Sequence, residues 1–72
     1  MIIDQFEQNC AVSEAMEQFA ARHFGEPRKV DKKTIRPDGC NGTVFGLKDG
    51  VRTYRIININ GVWIVNLWEP TT

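Results

Sequence analysis

Three side chains in this sequence are of the types that bind soft metals or act as nucleophile and base: Cys10, His23 and Cys40. They share no CxxC or HxxxH spacing and supply three ligands at most, so no zinc site is expected. Cysteine–histidine catalysis needs a rigid cleft and a third group to orient the base. A chain this short, with one helix on a small sheet, leaves little room for a pocket of a few hundred Å³. The plainer assignment makes Cys10 a core residue on a helix, Cys40 a turn residue, and His23 a cation or packing residue at a helix end. Glu14 and Glu17 lie on that same helix with no second acidic cluster opposite, and no GxxxxGK[ST] or GxGxxG loop is present to hold phosphates. The expectation is therefore a protein that is not an enzyme, with no catalytic residue, cofactor or metal.

The other chemistry on offer is charge. Arg28, Lys29, Lys32, Lys33 and Arg36 fall within nine positions, relieved by Asp31 alone. They could follow the phosphates of a nucleic acid, with Arg52 and Arg55 extending the patch and Trp63, Trp68 or Tyr54 stacking on bases. Against this, nine basic and nine acidic residues give a net charge of zero, whereas nucleic-acid proteins usually carry a basic excess. Residues 1–26 hold five acids against Arg22, so the chain is polarised between an acidic start and a basic segment. The simpler reading has the basic segment protecting a sheet edge and facing the acidic helix.

The composition sets the frame for both readings. Seventy-two residues, 42% hydrophobic and 25% charged, with four Phe, two Trp and one Tyr, suit a single small globular domain. Two cysteines thirty residues apart do not make a disulfide scaffold, and Met1-Ile2-Ile3-Asp4 lacks the basic start of a signal peptide. With no stretch near the ~20 apolar residues of a membrane span, a cytoplasmic protein with reduced thiols is expected.

The elements that must position these residues can be read from periodicity. Residues 4–24 predict a helix, with Asp4 as N-cap, Glu7 in the capping-box position, and Gly25 and Pro27 ending it. Val12, Ala15, Met16, Phe19 and His23 share one arc at ~100° per residue, flanked by Phe6, Cys10, Ala20 and Phe24. A break near Asn9 or Ser13 is the alternative. Residues 29–36 form either a short edge strand or a surface loop, before turns at Pro37-Asp38-Gly39 and Asn41-Gly42. Then come three β-rich runs, 43–48, 51–59 and 62–68, joined at Asp49-Gly50 and Asn60-Gly61, the strongest dipeptide signals for tight hairpins. The expected class is α+β, one helix on an antiparallel meander. The α-β-β-β order resembles, in fold only, part of the double-stranded-RNA-binding domain. That domain's closing helix and basic helix-start motif are absent here, so the resemblance implies no function.

Two-residue loops would pair Lys48 with Val51, Phe45 with Tyr54, Tyr54 with Leu67, Ile56 with Val65, Asn58 with Trp63 and Ile59 with Val62. Arg52 would then meet Glu69 at the rim. One face carries Phe45, Leu47, Tyr54, Ile56, Trp63, Val65 and Leu67, enough for the helix to cover. The other carries Val44, Val51, Ile57, Ile59, Val62, Ile64 and Trp68 among Lys48, Thr53, Arg55 and Asn66. One helix covers one face, so the second apolar face is a candidate partner surface. A one-residue slip would exchange the two sets. The function expected is a small protein-binding module, an inhibitor or adaptor of the kind often encoded by phages and mobile elements. It would use Val44, Arg55, Ile57, Ile64 and Trp68 to bind another protein or a second copy of itself. The alternative is nucleic-acid binding through Arg28 to Arg36.

Overall fold

A computed structural model of the chain describes residues 2–25, 29–48 and 50–68. Six elements follow in order: β1 (Ile2–Glu7), α1 (Val12–Phe24), β2 (Val30–Pro37), β3 (Thr43–Leu47), β4 (Thr53–Ile59) and β5 (Val62–Trp68). The strands form one antiparallel sheet in the order β1-β5-β4-β3-β2, with α1 against one face. The α+β class and the meander are as the sequence predicts, and the basic segment does form an edge strand, β2.

The helix is shorter than the 4–24 span expected. Residues 2–7 pair with β5 instead, Phe6 opposite Trp63 and Asp4 opposite Val65. The reason is the free edge of β5, a row of backbone donors and acceptors beside the core that a six-residue strand satisfies. The helix starts after Ala11, whose backbone is extended and which supplies no side-chain cap. Asp4 and Glu7 are thus strand residues, not a capping box. Six elements in a β-α-β-β-β-β order also depart from the likeness to the RNA-binding domain.

At its other end α1 stops as expected. Gly25 takes a positive φ, and its N–H donates to Ala21 O at 3.1 Å.

The expected register holds throughout the β4–β5 ladder and at Phe45–Tyr54. Asn60 and Gly61 both take positive φ, the requirement of a two-residue type I′ turn. The first hairpin is looser than expected. Its ladder ends at Gly46–Thr53, so Lys48 and Val51 do not pair. Lys48 N–H donates to Lys29 O on the opposite side, and Gly50 N–H folds back to Leu47 O. Val51 is consequently 99% exposed. Asp49 and the expected partner of Arg52, Glu69, lie outside the described residues.

The core sits between α1 and the sheet. Ala15, Met16, Phe19 and Ala20 pack on Phe45, Leu47, Tyr54, Ile56, Trp63 and Val65, with Val30 from β2. The Phe19 ring meets Phe45 and Tyr54 edge-on, with centroids 5.9 and 5.1 Å away. Burying one such side chain contributes about 1.5–3 kcal/mol, which explains why the helix is pinned by this face rather than by its ends. Trp63 Nε1–H donates to Gln8 O at 3.1 Å, fixing the turn from β1 into the helix. Among the described residues no helix is long and apolar enough to cross a membrane.

Candidate partner-binding face

Side chains alternate across each strand, so the register assigns the residues on the side away from α1. Ile57 lies opposite Ile64 and Ile59 opposite Val62, which makes one continuous apolar area on β4 and β5. Ile57, Val62, Ile64 and Trp68 are half-buried, and Ile59 is exposed. The β1 residues on this side are Ile2, Gln5 and Glu7, by their pairing with Asn66, Ile64 and Val62. Ile57 and Ile64 belong to no part of the helix-side core.

At the β2 side the face closes over itself. Arg36, Val44, Arg55 and Asn66 stand in one cross-strand row. The Arg36 guanidinium reaches across β3 and β4 to lie over the Trp68 ring, 5.3 Å from its centre. Val44, in this row, is only 1% exposed and belongs to no part of the helix-side core. Of the five residues expected to bind a partner, Val44 therefore supports the surface and does not present any. Asn66 Oδ1 is shielded from solvent without a hydrogen-bond partner among the described residues.

Arg55 is also already engaged. Its Nε donates to the Asp38 carboxylate, and its Nη2 donates to Cys40 O at 3.2 Å. Asp38 Oδ1 accepts from Cys40 N–H at 2.6 Å and from Gly42 N–H at 3.0 Å, closing the loop between β2 and β3. The hydrogen bond from Arg55 first, and then the Cys40 amide, hold the Asp38 carboxyl below its ordinary value of 3.8, against the opposing effect of burial. A side chain at Gly42 would stand 2.6 Å from Asp38 Oδ2 and 2.7 Å from Arg55 Nε, so this glycine makes room for the pair. Pro37-Asp38-Gly39 is the expected turn, and its Asp38 is in addition the anchor of Arg55, which the sequence reading did not include. The signal was there, since Asp readily bonds backbone N–H groups a few residues on.

Both edges of the sheet are blunted. On β2, Lys32, Lys33 and Pro37 line the edge, and the register shifts between Asp31 and Arg36. There Gly46 N–H donates to Thr34 Oγ1 at 2.7 Å in place of a ladder bond. On β1 the register shifts between Ile2 and Asp4, and Asp4 points inward toward the helix. Its carboxylate lies 3.4 Å from Arg22 Nη2 and 3.1 Å from His23 Nε2, with its side chain 9% exposed. Asp4 Oδ2 makes no hydrogen bond among the described residues. Inward charges and bulges of this kind discourage strand addition.

The nucleic-acid candidates are only partly brought together. Lys29, Lys32, Lys33 and Arg36 are exposed on β2, while Arg28 lies outside the described residues. Tyr54 and Trp63 are buried against α1 and offer no ring to a base. Cys10 is half-buried just before α1, His23 is at the helix's far end, and Cys40 is exposed in the β2–β3 loop. The helical rise from Val12 to His23 alone is about 16 Å, which keeps Cys10 and His23 at opposite ends of α1. No group of three or more His, Cys, Asp or Glu among the described residues could hold a metal ion.

The structure does contain more open space than the chain length suggested. A cleft of about 370 Å³ lies between the end of α1 and the β3–β4 connection, lined by Ile3, Phe24, Leu47, Val51, Arg52 and Tyr54. Its described lining holds no carboxylate, thiol or imidazole.

In comparisons with family models, curated proteins and solved structures, nothing matches the chain.

Proposed function

We propose that this protein works by binding another protein through the sheet face turned away from α1, centred on Ile57, Ile64 and Trp68. The observation that carries the reading is the continuous apolar area formed by the Ile57–Ile64 and Ile59–Val62 pairs, on the side opposite the helix. Contiguous apolar surface of this kind marks partner sites far more often than scattered exposed residues do. The blunted edges direct attention to the face rather than to strand addition. Trp and Arg, the residue types richest in binding energy at interfaces, stand together at its margin as Trp68 and Arg36. The reading is one of binding and not catalysis, as an inhibitor or adaptor would act. A cytoplasmic site of action suits its two free thiols, Cys10 and Cys40.

The test is an affinity capture from host lysate with the intact chain and with Ile64→Asp, coupled to the solution mass of each free protein. Specific capture by the parent and its loss in a folded Ile64→Asp variant is the expected result. A parent that is dimeric, with Ile64→Asp monomeric, would instead make a second copy the occupant of the face. A variant that binds as the parent does would remove the proposal.

A second reading, nucleic-acid binding, has one observation in its favour: Lys29, Lys32, Lys33 and Arg36 are exposed along a single edge strand. It requires that Lys32→Glu with Lys33→Glu weaken binding to DNA or RNA and flatten its salt dependence.

A further inference from the structure

We infer that the segment seated on this face is acidic: a peptide stretch carrying Asp or Glu beside branched or aromatic side chains. The inference rests on the reading above that the face binds protein, and adds the chemistry of the partner.

The argument is charge complementarity around an apolar centre. Arg36 is exposed, and its guanidinium lies over Trp68. Among the described residues it makes no ion pair and no side-chain hydrogen bond. A guanidinium held over a ring keeps its planar fork of N–H donors for another group, and carboxylate is the group that fork fits best. Among the described residues, the carboxylates on the β2 half of this side are already engaged, while Glu7 stands at the far, β1 margin of the face. Asp38 is held by Arg55, and Asp31 Oδ1 accepts from Lys33 N–H. Glu14 and Glu17, by contrast, are exposed on α1, which covers the other side of the sheet. The chain is neutral overall, yet at the β2 margin of this face Arg36 keeps a guanidinium with no ion pair among the described residues. A partner with carboxylates at its rim and apolar side chains at its middle meets both features at once.

The same guanidinium attracts phosphates, but the centre of the face does not suit a nucleic acid. Sequence-tolerant binding to single strands relies on several aromatic rings on which bases stack. Here Trp68 already lies under Arg36, and Tyr54 and Trp63 are buried on the other side. The middle of the face is Ile57 and Ile64, which pack against side chains.

The experiment is a selection of random peptides on the immobilised full chain, on Ile64→Asp and on Arg36→Glu, each checked for its fold by circular dichroism. The peptides enriched by the parent are expected to carry Asp or Glu next to branched or aromatic residues. Arg36→Glu should weaken them by about tenfold or more and turn the selection toward Lys and Arg. Peptides lost on Ile64→Asp but showing no acidic bias, or indifferent to Arg36→Glu, would overturn this inference while leaving the protein-binding face in place. No enrichment, or enrichment that survives Ile64→Asp, would overturn both. Mixed-sequence RNA or DNA oligonucleotides that bind more tightly than the peptides, and need both Ile64 and Arg36, would replace the acidic peptide with a phosphate chain.

Discussion

The guanidinium of Arg36 on edge strand β2 lies 5.3 Å from the centre of the Trp68 ring on β5, with β3 and β4 between them. This pair joins two candidate sites that looked separate in the sequence, the basic segment and the apolar face. Val44, 1% exposed, stands between Arg36 and Arg55 in the cross-strand row beside this pair.

Because the pair is at the surface, its energy should be small but measurable. A double-mutant cycle with Arg36→Ala and Trp68→Ala, followed by urea denaturation, should give a coupling of about 0.5–1 kcal/mol. Additive effects of the two changes would mean that the ring and the guanidinium do not stabilise one another.

Neighbouring residues on β5 should respond in opposite ways to the same substitution. Val65 is fully buried against the helix, so Val65→Asp should prevent folding by placing a charge without a partner in the core. Ile64→Asp, one position earlier and on the other face, should keep the fold at a cost of about 1 kcal/mol. Circular dichroism and denaturation midpoints separate the two, and similar losses from both would mean that the register is wrong.

Asp4 points inward from an edge strand and sits beside Arg22 and His23. As an exposed partner, Arg22 makes this a weak pair, worth about 0–1 kcal/mol. The larger effect concerns the edge. Asp4→Val should leave a folded protein that associates through β1 as concentration rises. Sedimentation velocity across a concentration series would show it, and a strictly monomeric variant would remove the protective role from this carboxylate.

Acid should weaken the loop between β2 and β3 through Asp38. Its carboxyl titrates below 3.8 in the folded chain, chiefly because Arg55 bonds to the carboxylate. A depressed folded value means that the stabilisation is fully present above the unfolded value. It is lost as pH falls through the folded one. Urea midpoints taken from about pH 5 to about pH 2 should therefore decline less steeply for Asp38→Asn than for the parent. Gly42→Ala should mimic that variant, since its methyl group would occupy the space of the Asp38–Arg55 pair. Parallel declines in all three proteins would show that the pair contributes nothing.

The sequence by itself determined the meander, because its signals are local. Asn60-Gly61 sets a two-residue turn by backbone sterics, and alternation along 53–59 and 62–68 then assigns each side chain to a face. Helical periodicity likewise placed Ala15, Met16 and Phe19 on the buried arc, while lysines with a following proline made 29–36 either an edge strand or a loop. Tertiary structure decided what depends on distant partners. Whether Asp4 caps a helix or sits in a strand turns on the free edge of β5, some sixty residues later. Whether Arg55 is available to a partner turns on Asp38, and whether Val44 is exposed turns on its neighbours across β2 and β4, Arg36 and Arg55. That the sheet has two apolar faces was legible from alternation, while the register that decides which one the helix covers was left open. Which residues of the face away from the helix present surface, and which hold that surface in place, depended on contacts that no local pattern records.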